Sequence, residues 1–269
     1  CARTRWPRPP AACVERMHRA RDVTYPPLNT LKPVAENVWI VDGPAIGFGM
    51  PWPKMPFPTR MTVIRLGEDR LLIHSPTQLV ESLRSEIAGI GKPAWLVGPN
   101  RLHYWWLPDW RDAYPAARVW LAPRIAEQAK GRVAFAANQL LGRSGYPWDE
   151  EIGTLPVAGR YMTEFAFFHR RSESLVLTDL IENFERAKLG PVARRAASLG
   201  GVLDPDGKTP WDMRLTFRRR QAEVREAVET MISWRPLRIL LAHGRWYDRD
   251  GAAELRRAFR WVSPRACSG

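Results

Sequence analysis

Cysteine is scarce in this chain of 269 residues, and the positions of its cysteines exclude two kinds of structure. Cys1, Cys13 and Cys267 all lie near the ends of the chain. They form neither a disulfide framework nor the CxxC pairs of a structural zinc site. Because a chain without structural disulfides suits a reducing compartment, we expect a cytoplasmic protein.

Long apolar runs and several common catalytic motifs are also missing. No stretch approaches the roughly 20 apolar residues that a membrane-spanning helix needs, so we expect no membrane span. The chain has no P-loop, no GxGxxG after a strand and no GxSxG elbow. The sequence therefore gives no support to nucleotide binding or to serine-hydrolase chemistry.

Acidic residues are few relative to basic ones. The 41 Lys and Arg outnumber the 28 Asp and Glu, and the formal net charge is +13. One interpretation is a surface for nucleic acid or another anionic partner, and Arg218-Arg219-Arg220 at the start of a predicted helix would suit it. The other is the coding bias of a GC-rich genome, which the 24 Pro and 13 Trp accompany and which the composition favours. A nucleic-acid partner stays open.

The length suits one large domain. Residues 1–22, rich in Arg, Pro and Ala, are expected to form a disordered arm, with Met17 as an alternative start, and residues 23–269 the domain. Apolar periodicity predicts both strands and helices in this domain. Strands are predicted at 38–41, 61–66, 70–74, 94–97, 118–122, 165–169, 174–178 and 237–242, and helices at 78–90, 109–114, 218–234 and 251–261. The first half of the chain is rich in predicted strands, and the second half mixes strands with helices. This order predicts a layered α/β sandwich rather than a doubly wound sheet.

The stretch from Gly43 to Pro58 is rich in proline, glycine and aromatic residues. Because proline cannot donate a strand hydrogen bond, we expect a loop here rather than a strand. It is too apolar for a flexible linker, so we expect it to fold over the domain and roof a pocket.

Polar side chains follow four of the predicted strands. His74 ends one strand, His103 follows another after Asn100, and Asp179 and His243 each follow an apolar run directly. Only five histidines exist, and three of them lie at these strand ends. Strand ends at one sheet edge are where a rigid scaffold presents reactive groups, so these residues are candidate metal ligands.

Six short segments, by their order and spacing, carry a resemblance to a known superfamily. They are Arg60-Met61-Thr62-Val63-Ile64, His74-Ser75-Pro76, Pro99-Asn100-Arg101-Leu102-His103, Phe167-Phe168-His169, Thr178-Asp179-Leu180 and Ala242-His243-Gly244. Over residues 31–262 the chain resembles the metallo-β-lactamase superfamily, and within it a branch known only as a domain of unknown function. The resemblance implies a single four-layer αββα sandwich with a metal site at one sheet edge.

The superfamily's HxHxDH motif is degenerate in this chain. Only His103 remains of it, and the aspartate is missing. At the next histidine of the superfamily this chain has Arg160, with Glu164 nearby as a possible fourth ligand. By the resemblance, Asp179 matches the metal-bridging aspartate and His243 the last histidine. The resemblance therefore implies a reduced site with one ion in place of two.

Two imidazoles and one carboxylate suit zinc or iron(II), and three protein ligands leave a position for water. The resemblance implies a mononuclear metal-dependent hydrolase that acts on an ester, amide, thioester or phosphoester of an unknown small molecule. Each ligand has an alternative interpretation as a hydrogen-bonded structural residue. If the metal is lost, the chain is a non-catalytic pseudoenzyme whose basic surface binds an anionic partner.

Residues around the candidate ligands suggest how a substrate is held. His74 and Asn100 are expected to support the ligands through hydrogen bonds. Arg101 and Arg160 are candidates to clamp a substrate carboxylate or phosphate. Trp106 is a candidate substrate contact, in an aromatic wall that is equally interpreted as core. The other members of that wall are Trp52, Phe57, Trp105 and Trp110.

Overall fold

The structure is a computed structural model that describes residues 22–48 and 55–262. The expected arm at residues 1–22 lies outside the described residues except for Asp22, and so do the three cysteines.

The first sheet contains seven strands among the described residues, in the order in which they occur in the chain. They are β1 (Lys32–Ala35), β2 (Val38–Phe48), β3 (Met55–Leu66), β4 (Arg70–His74), β5 (Lys92–Gly98), β6 (Arg118–Leu121) and β7 (Asn138–Gln139). The pairs from β1 to β4 are antiparallel, and those from β4 to β7 are parallel.

The second sheet has four described strands in the order β11-β10-β9-β8. They are β8 (Ile152–Ala158), β9 (Thr163–His169), β10 (Ser174–Leu177) and β11 (Arg238–Leu241). The strands β8, β9 and β10 pair antiparallel, whereas β10 and β11 are parallel. The strands predicted at 165–169 and 174–178 are therefore confirmed, and they form a hairpin.

Seven α-helices lie between or after these strands in the part of the chain that the structure describes. They are α1 (Glu81–Ile90), α2 (Leu107–Ala113), α3 (Ile125–Ala129), α4 (Pro191–Gly200), α5 (Trp211–Thr216), α6 (Gln221–Ser233) and α7 (Gly251–Ala258). The helix α1 ends at Ile90, as the predicted helix at 78–90 does, and Gly91 is its C-cap residue. No described helix is long and apolar enough to cross a membrane.

The alternation of β9 shows how the layers are built. Phe165 and Phe167 pack into a core shared with the first sheet. Ala166 and Phe168 point the other way, into a core shared with α6 and α7. Because successive strand residues face opposite sides, both faces of this sheet are buried. With α1 and α2 covering the outer face of the first sheet, the predicted αββα sandwich is confirmed.

The prediction of a loop from Gly43 to Pro58 is wrong for the parts of this stretch that the structure describes. Residues 43–48 continue β2, and residues 55–58 begin β3. The register shifts between Gly43 and Ile46, so Pro44 and Pro58 fall within a β-bulge. A bulge leaves residues unpaired, and it accommodates prolines that a regular ladder excludes.

The parallel pairs bring the candidate residues to one edge. In the first sheet His74 of β4 pairs with Val97 of β5, so the segments after both strands begin side by side. In the second sheet Leu177 pairs with Leu241, so Asp179 and His243 each follow two residues beyond a paired position. Because the carboxyl ends of parallel strands share an edge, all four segments meet at one end of the sandwich.

Candidate metal centre

Three side chains converge where the two sheets meet. His103, Asp179 and His243 offer ligand atoms that all lie within 4.8 Å of one another. The two Nε2 atoms are 3.3 Å apart. The Asp179 carboxylate lies 3.1 Å from Nε2 of His243 and 3.4 Å from Nε2 of His103. Atoms that each lie about 2.1 Å from a tetrahedral zinc ion are about 3.4 Å from one another, so the residues fit one metal ion.

The rings of His103 and His243 are each held by a hydrogen bond at Nδ1, on the side away from the other two side chains. Nδ1 of His243 lies 2.7 Å from the carbonyl oxygen of Pro58. Because a carbonyl only accepts, Nδ1 carries a proton, and Nε2 faces the other two side chains. Nδ1 of His103 lies 2.6 Å from the hydroxyl of Ser75, which fixes the ring with Nε2 pointing inward. This is how metal-binding histidines are usually oriented.

The loop that carries Asp179 is held by a buried carboxylate, Glu164 of β9. Its oxygens accept backbone N–H bonds from Thr178 at 2.7 Å, Asp179 at 2.8 Å and Leu180 at 3.1 Å. Asn100 donates to the Asp179 carboxylate at 2.6 Å. Glu164 is not one of the three clustered ligands, since its oxygens are used by the backbone. Asn100 lies where the sequence places it, beside a candidate ligand.

The pKa values of the two buried carboxyl groups, Asp179 and Glu164, are shifted in opposite directions. Burial alone would raise the pKa of Asp179, but the charges and hydrogen bonds of His103 and His243 hold it well below the usual range of a carboxyl. Burial, together with the Asp179 charge, raises the pKa of Glu164 to about 7. Asp179 is thus the anionic member of the centre, as a metal ligand must be.

A buried arginine holds the turn after His243. The Arg60 guanidinium donates to the carbonyl oxygens of Leu241 and Gly244, each at 2.7 Å. Its charge is balanced by Asp42 at 2.7 Å, also buried. Gly244 has a φ of +87°, and a Cβ there would meet the Asn183 carbonyl oxygen at 2.1 Å. The turn that presents His243 therefore needs both this arginine and a glycine.

His74 does not make the predicted hydrogen bond to the ligands. Its Nε2 is buried and has no hydrogen-bond partner among the described residues. The ring packs edge-on against Phe167, with centroids 5.0 Å apart. Burial, then the nearby His103, lowers the pKa of His74 to about 3, so the ring is neutral. The bracing predicted for His74 is made by the next residue, Ser75.

A cavity of about 520 Å³ opens onto the three side chains. Trp106 lines it, together with Phe57 and Trp105 from the predicted aromatic wall. Trp110 is fully buried in the core, and Trp52 lies outside the described residues. The segment predicted to roof a pocket does contribute to this one, although as strand rather than loop.

The two candidate substrate arginines do not line the cavity. Arg101 donates to the Tyr161 carbonyl at 3.0 Å and to the Gln128 side chain at 2.7 Å, so internal partners use its guanidinium. Arg160 is exposed. The structure therefore does not bring either arginine to the centre.

More than half of the chain matches one family of sequences. The model of the family described as "Domain of unknown function (DUF4336)" matches residues 37–194. No curated protein matches the chain.

Several solved structures are similar to this one. The metallo-β-lactamase FIM-1 from Pseudomonas aeruginosa in its mono-zinc form is 13% identical, covering 91% of this chain and 99% of its own (TM-score 0.54). A metallo-β-lactamase from Hirschia baltica is 14% identical, covering 87% and 97% (TM-score 0.55). The flavodiiron core of Flv1 from Synechocystis is 13% identical, covering 87% of this chain and 60% of its own (TM-score 0.55). At these identities the likeness shows the fold alone.

Proposed function

We propose that this chain, which belongs to the DUF4336 family and has the metallo-β-lactamase fold, is a mononuclear metal-dependent hydrolase. Its ligands are His103, Asp179 and His243, and the ion is zinc or iron(II). The observation that carries the proposal is the convergence of their ligand atoms within 4.8 Å at the wall of a cavity.

The residues around the centre support this assignment. The hydrogen bonds of His243 with the Pro58 carbonyl and of His103 with the Ser75 hydroxyl orient both Nε2 atoms inward, and Glu164 and Asn100 fix the carboxylate. A histidine that served only to pack would not need its far nitrogen aimed at a second imidazole 3.3 Å away. When bound, the ion supplies Lewis acidity, which lowers the pKa of a coordinated water to roughly 7.

The chain's own residues set the reaction geometry. Three protein ligands would leave a position for water or substrate, which would reach the centre from the cavity that these residues line. The Asp179 carboxylate is held ionised by its histidine partners. Trp106 forms part of the cavity wall and is placed to contact the substrate. With an ion bound, these residues would hold a carbonyl or phosphoryl group beside the water that hydrolyses it.

Metal content tests the proposal directly. Elemental analysis of the purified chain should find about one zinc or iron per chain, and His103→Asn and Asp179→Asn should each lower this severalfold. The matched control is His169→Asn, because His169 is also buried and hydrogen-bonded to a serine but lies outside the centre. Circular dichroism checks that every variant is folded.

Cobalt(II) provides a second readout that does not depend on activity. The reconstituted chain should show the visible absorption of four- or five-coordinate cobalt, and His243→Asn should change it. Substoichiometric metal in the folded wild-type chain, unchanged by His103→Asn, would overturn the proposal and leave the metal-free alternative.

A further inference from the structure

The chain has 41 Lys and Arg, yet none of them lines the cavity among the described residues. Apart from the three ligands, its charged groups are Glu182 and Asp212. A substrate that carried a carboxylate or phosphate deep in the cavity would therefore meet no described lysine or arginine with which to form an ion pair. The remaining wall is mainly apolar and aromatic, which suits an apolar chain.

Exposed apolar side chains gather at the mouth of this cavity. Trp211 of α5 lines the cavity and is 53% exposed. Ala196 of α4 also lines it, and Val192 and Leu199 lie one turn to either side of Ala196 on the same helix face. Val192 and Leu199 are among the most exposed large apolar residues described, Leu199 at 75%. Leu215 continues the exposed stripe of α5, one turn after Trp211.

A group of exposed apolar residues around a cavity is an interaction surface rather than scattered surface residues. The helices α4 and α5 contact each other, so the two stripes belong to one rim. We call this rim, made of Val192, Leu199, Trp211 and Leu215, the apolar rim.

Basic residues are frequent in the segment that carries the apolar rim. From Arg186 to Arg220 the chain has nine Lys and Arg and three Asp, a net charge of +6. Arg195 lies on the same exposed face of α4 as Val192 and Leu199, and Arg218 follows Leu215 by three residues. Exposed apolar side chains interspersed with arginine are the composition of surfaces that bind anionic membranes.

We propose that the apolar rim docks on a lipid surface with anionic headgroups, and that the cavity takes the apolar chain of an amphiphile from that surface. The arginines beside the apolar rim meet the headgroups, while the mainly apolar wall of the cavity receives the chain. The docking stands on the rim and the cavity alone. Only the hydrolysis of the bound amphiphile rests on the proposed function.

Co-sedimentation with vesicles tests the docking. The full chain is mixed with phosphatidylcholine vesicles, with or without an equal part of phosphatidylglycerol. We expect the wild type to bind the anionic vesicles. The affinity of the double variant Leu199→Ser/Trp211→Ser for them should be lower by a factor of about ten or more. Leu141→Ser is the matched control, because Leu141 is 74% exposed but lies outside the cavity wall, and its binding should equal that of the wild type.

A neutral probe tests the cavity. A pyrene-labelled long-chain alcohol should bind to the chain with an increase in fluorescence. The Ala196→Trp variant narrows the mouth of the cavity at an exposed position and should lower the affinity for this probe about tenfold. Unchanged probe binding in this variant would contradict entry through the mouth.

Three results would overturn the docking. The first is that the wild type does not bind anionic vesicles, and the second is that the double variant binds them as well as the wild type does. The third is that the wild type self-associates without binding vesicles and the double variant does not self-associate, which would show that a second copy covers the apolar rim. His243→Asn separates the two proposals, because it should lose metal yet keep vesicle binding. Vesicle binding by a wild-type chain without metal would contradict only the proposed hydrolase.

Discussion

The hydroxyl of Ser75 lies 2.6 Å from Nδ1 of His103, on the side of the ring opposite Asp179. The Ser75→Ala variant removes this bond and keeps a Cβ at a position whose φ is +53°, so neither residue has the freedom of glycine there. Because the partner behind a ligating imidazole fixes its orientation, we expect metal affinity to fall about 10–100-fold. Competition with a chelating dye measures the change.

The chain offers a matched control for that variant. Ser172 lies 2.7 Å from Nδ1 of His169, so Ser172→Ala breaks the same kind of bond away from the centre. Metal affinity in Ser172→Ala should equal that of the wild type. An equal loss in both variants would show that the Ser75 effect is one of general stability.

Arg60 provides a prediction about stability. Its guanidinium is buried against Asp42 and holds the turn after β11. Replacing it in Arg60→Met leaves the Asp42 carboxylate buried with Lys32 as its remaining ion-pair partner among the described residues, so we expect the free energy of unfolding to fall by about 3–5 kcal/mol. Urea denaturation measures it.

The control for Arg60 is an exposed ion pair. Arg171 and Glu36 lie 2.6 Å apart with both side chains in solvent. Arg171→Met should cost about 1 kcal/mol or less, because solvent screens such pairs. If the two variants were equally stable, Arg60 would not hold the two sheets together as the structure indicates.

His74 gives stability a pH dependence. Its pKa is about 3 in the fold, against an ordinary value of 6.5. Below pH 6.5 the unfolded chain binds a proton at this residue that the folded chain does not, so stability is full above pH 6.5 and falls as the pH drops toward 3. Between pH 7 and pH 5 this residue alone should lower the free energy of unfolding by about 2 kcal/mol.

Comparing the wild type with His74→Leu isolates this contribution. Urea denaturation in the presence of a chelator should show that the free energy of unfolding falls less between pH 7 and pH 5 in the variant than in the wild type. From pH 7 to pH 8 the free energies of unfolding of the two proteins should change in parallel. Identical slopes below pH 6.5 would mean that the ring is protonated in the folded chain.

The layers and the three clustered residues were predictable because their signals are local. An apolar run that ends in a polar residue is visible along the chain, and parallel pairing then brings such ends to one edge. This placed His103, Asp179 and His243 at strand ends, and the structure puts them together. The ligand roles stay a prediction that metal analysis will test.

The residues behind the ligands were not predictable, because their contacts join distant segments. The Pro58 carbonyl contacts His243 across 185 positions of sequence, and Pro58 lies in the bulge between β2 and β3. Proline content indicated a loop there, since propensity ignores bulges. For Ser75 one signal existed, its place directly after a strand end, but the bracing role was assigned one residue too early.

Glu164 separates a positioning role from a ligand role. Its two oxygens accept three backbone N–H bonds around Asp179, so Glu164→Gln turns an amide donor toward at least one backbone donor. We expect a loss of about 1–3 kcal/mol in stability together with weaker metal binding, at an unchanged ratio of one ion per chain. Glu182→Gln is the control, because Glu182 is also buried near the centre but accepts no side-chain hydrogen bond among the described residues. A changed cobalt(II) spectrum in saturated Glu164→Gln would instead make Glu164 a fourth ligand.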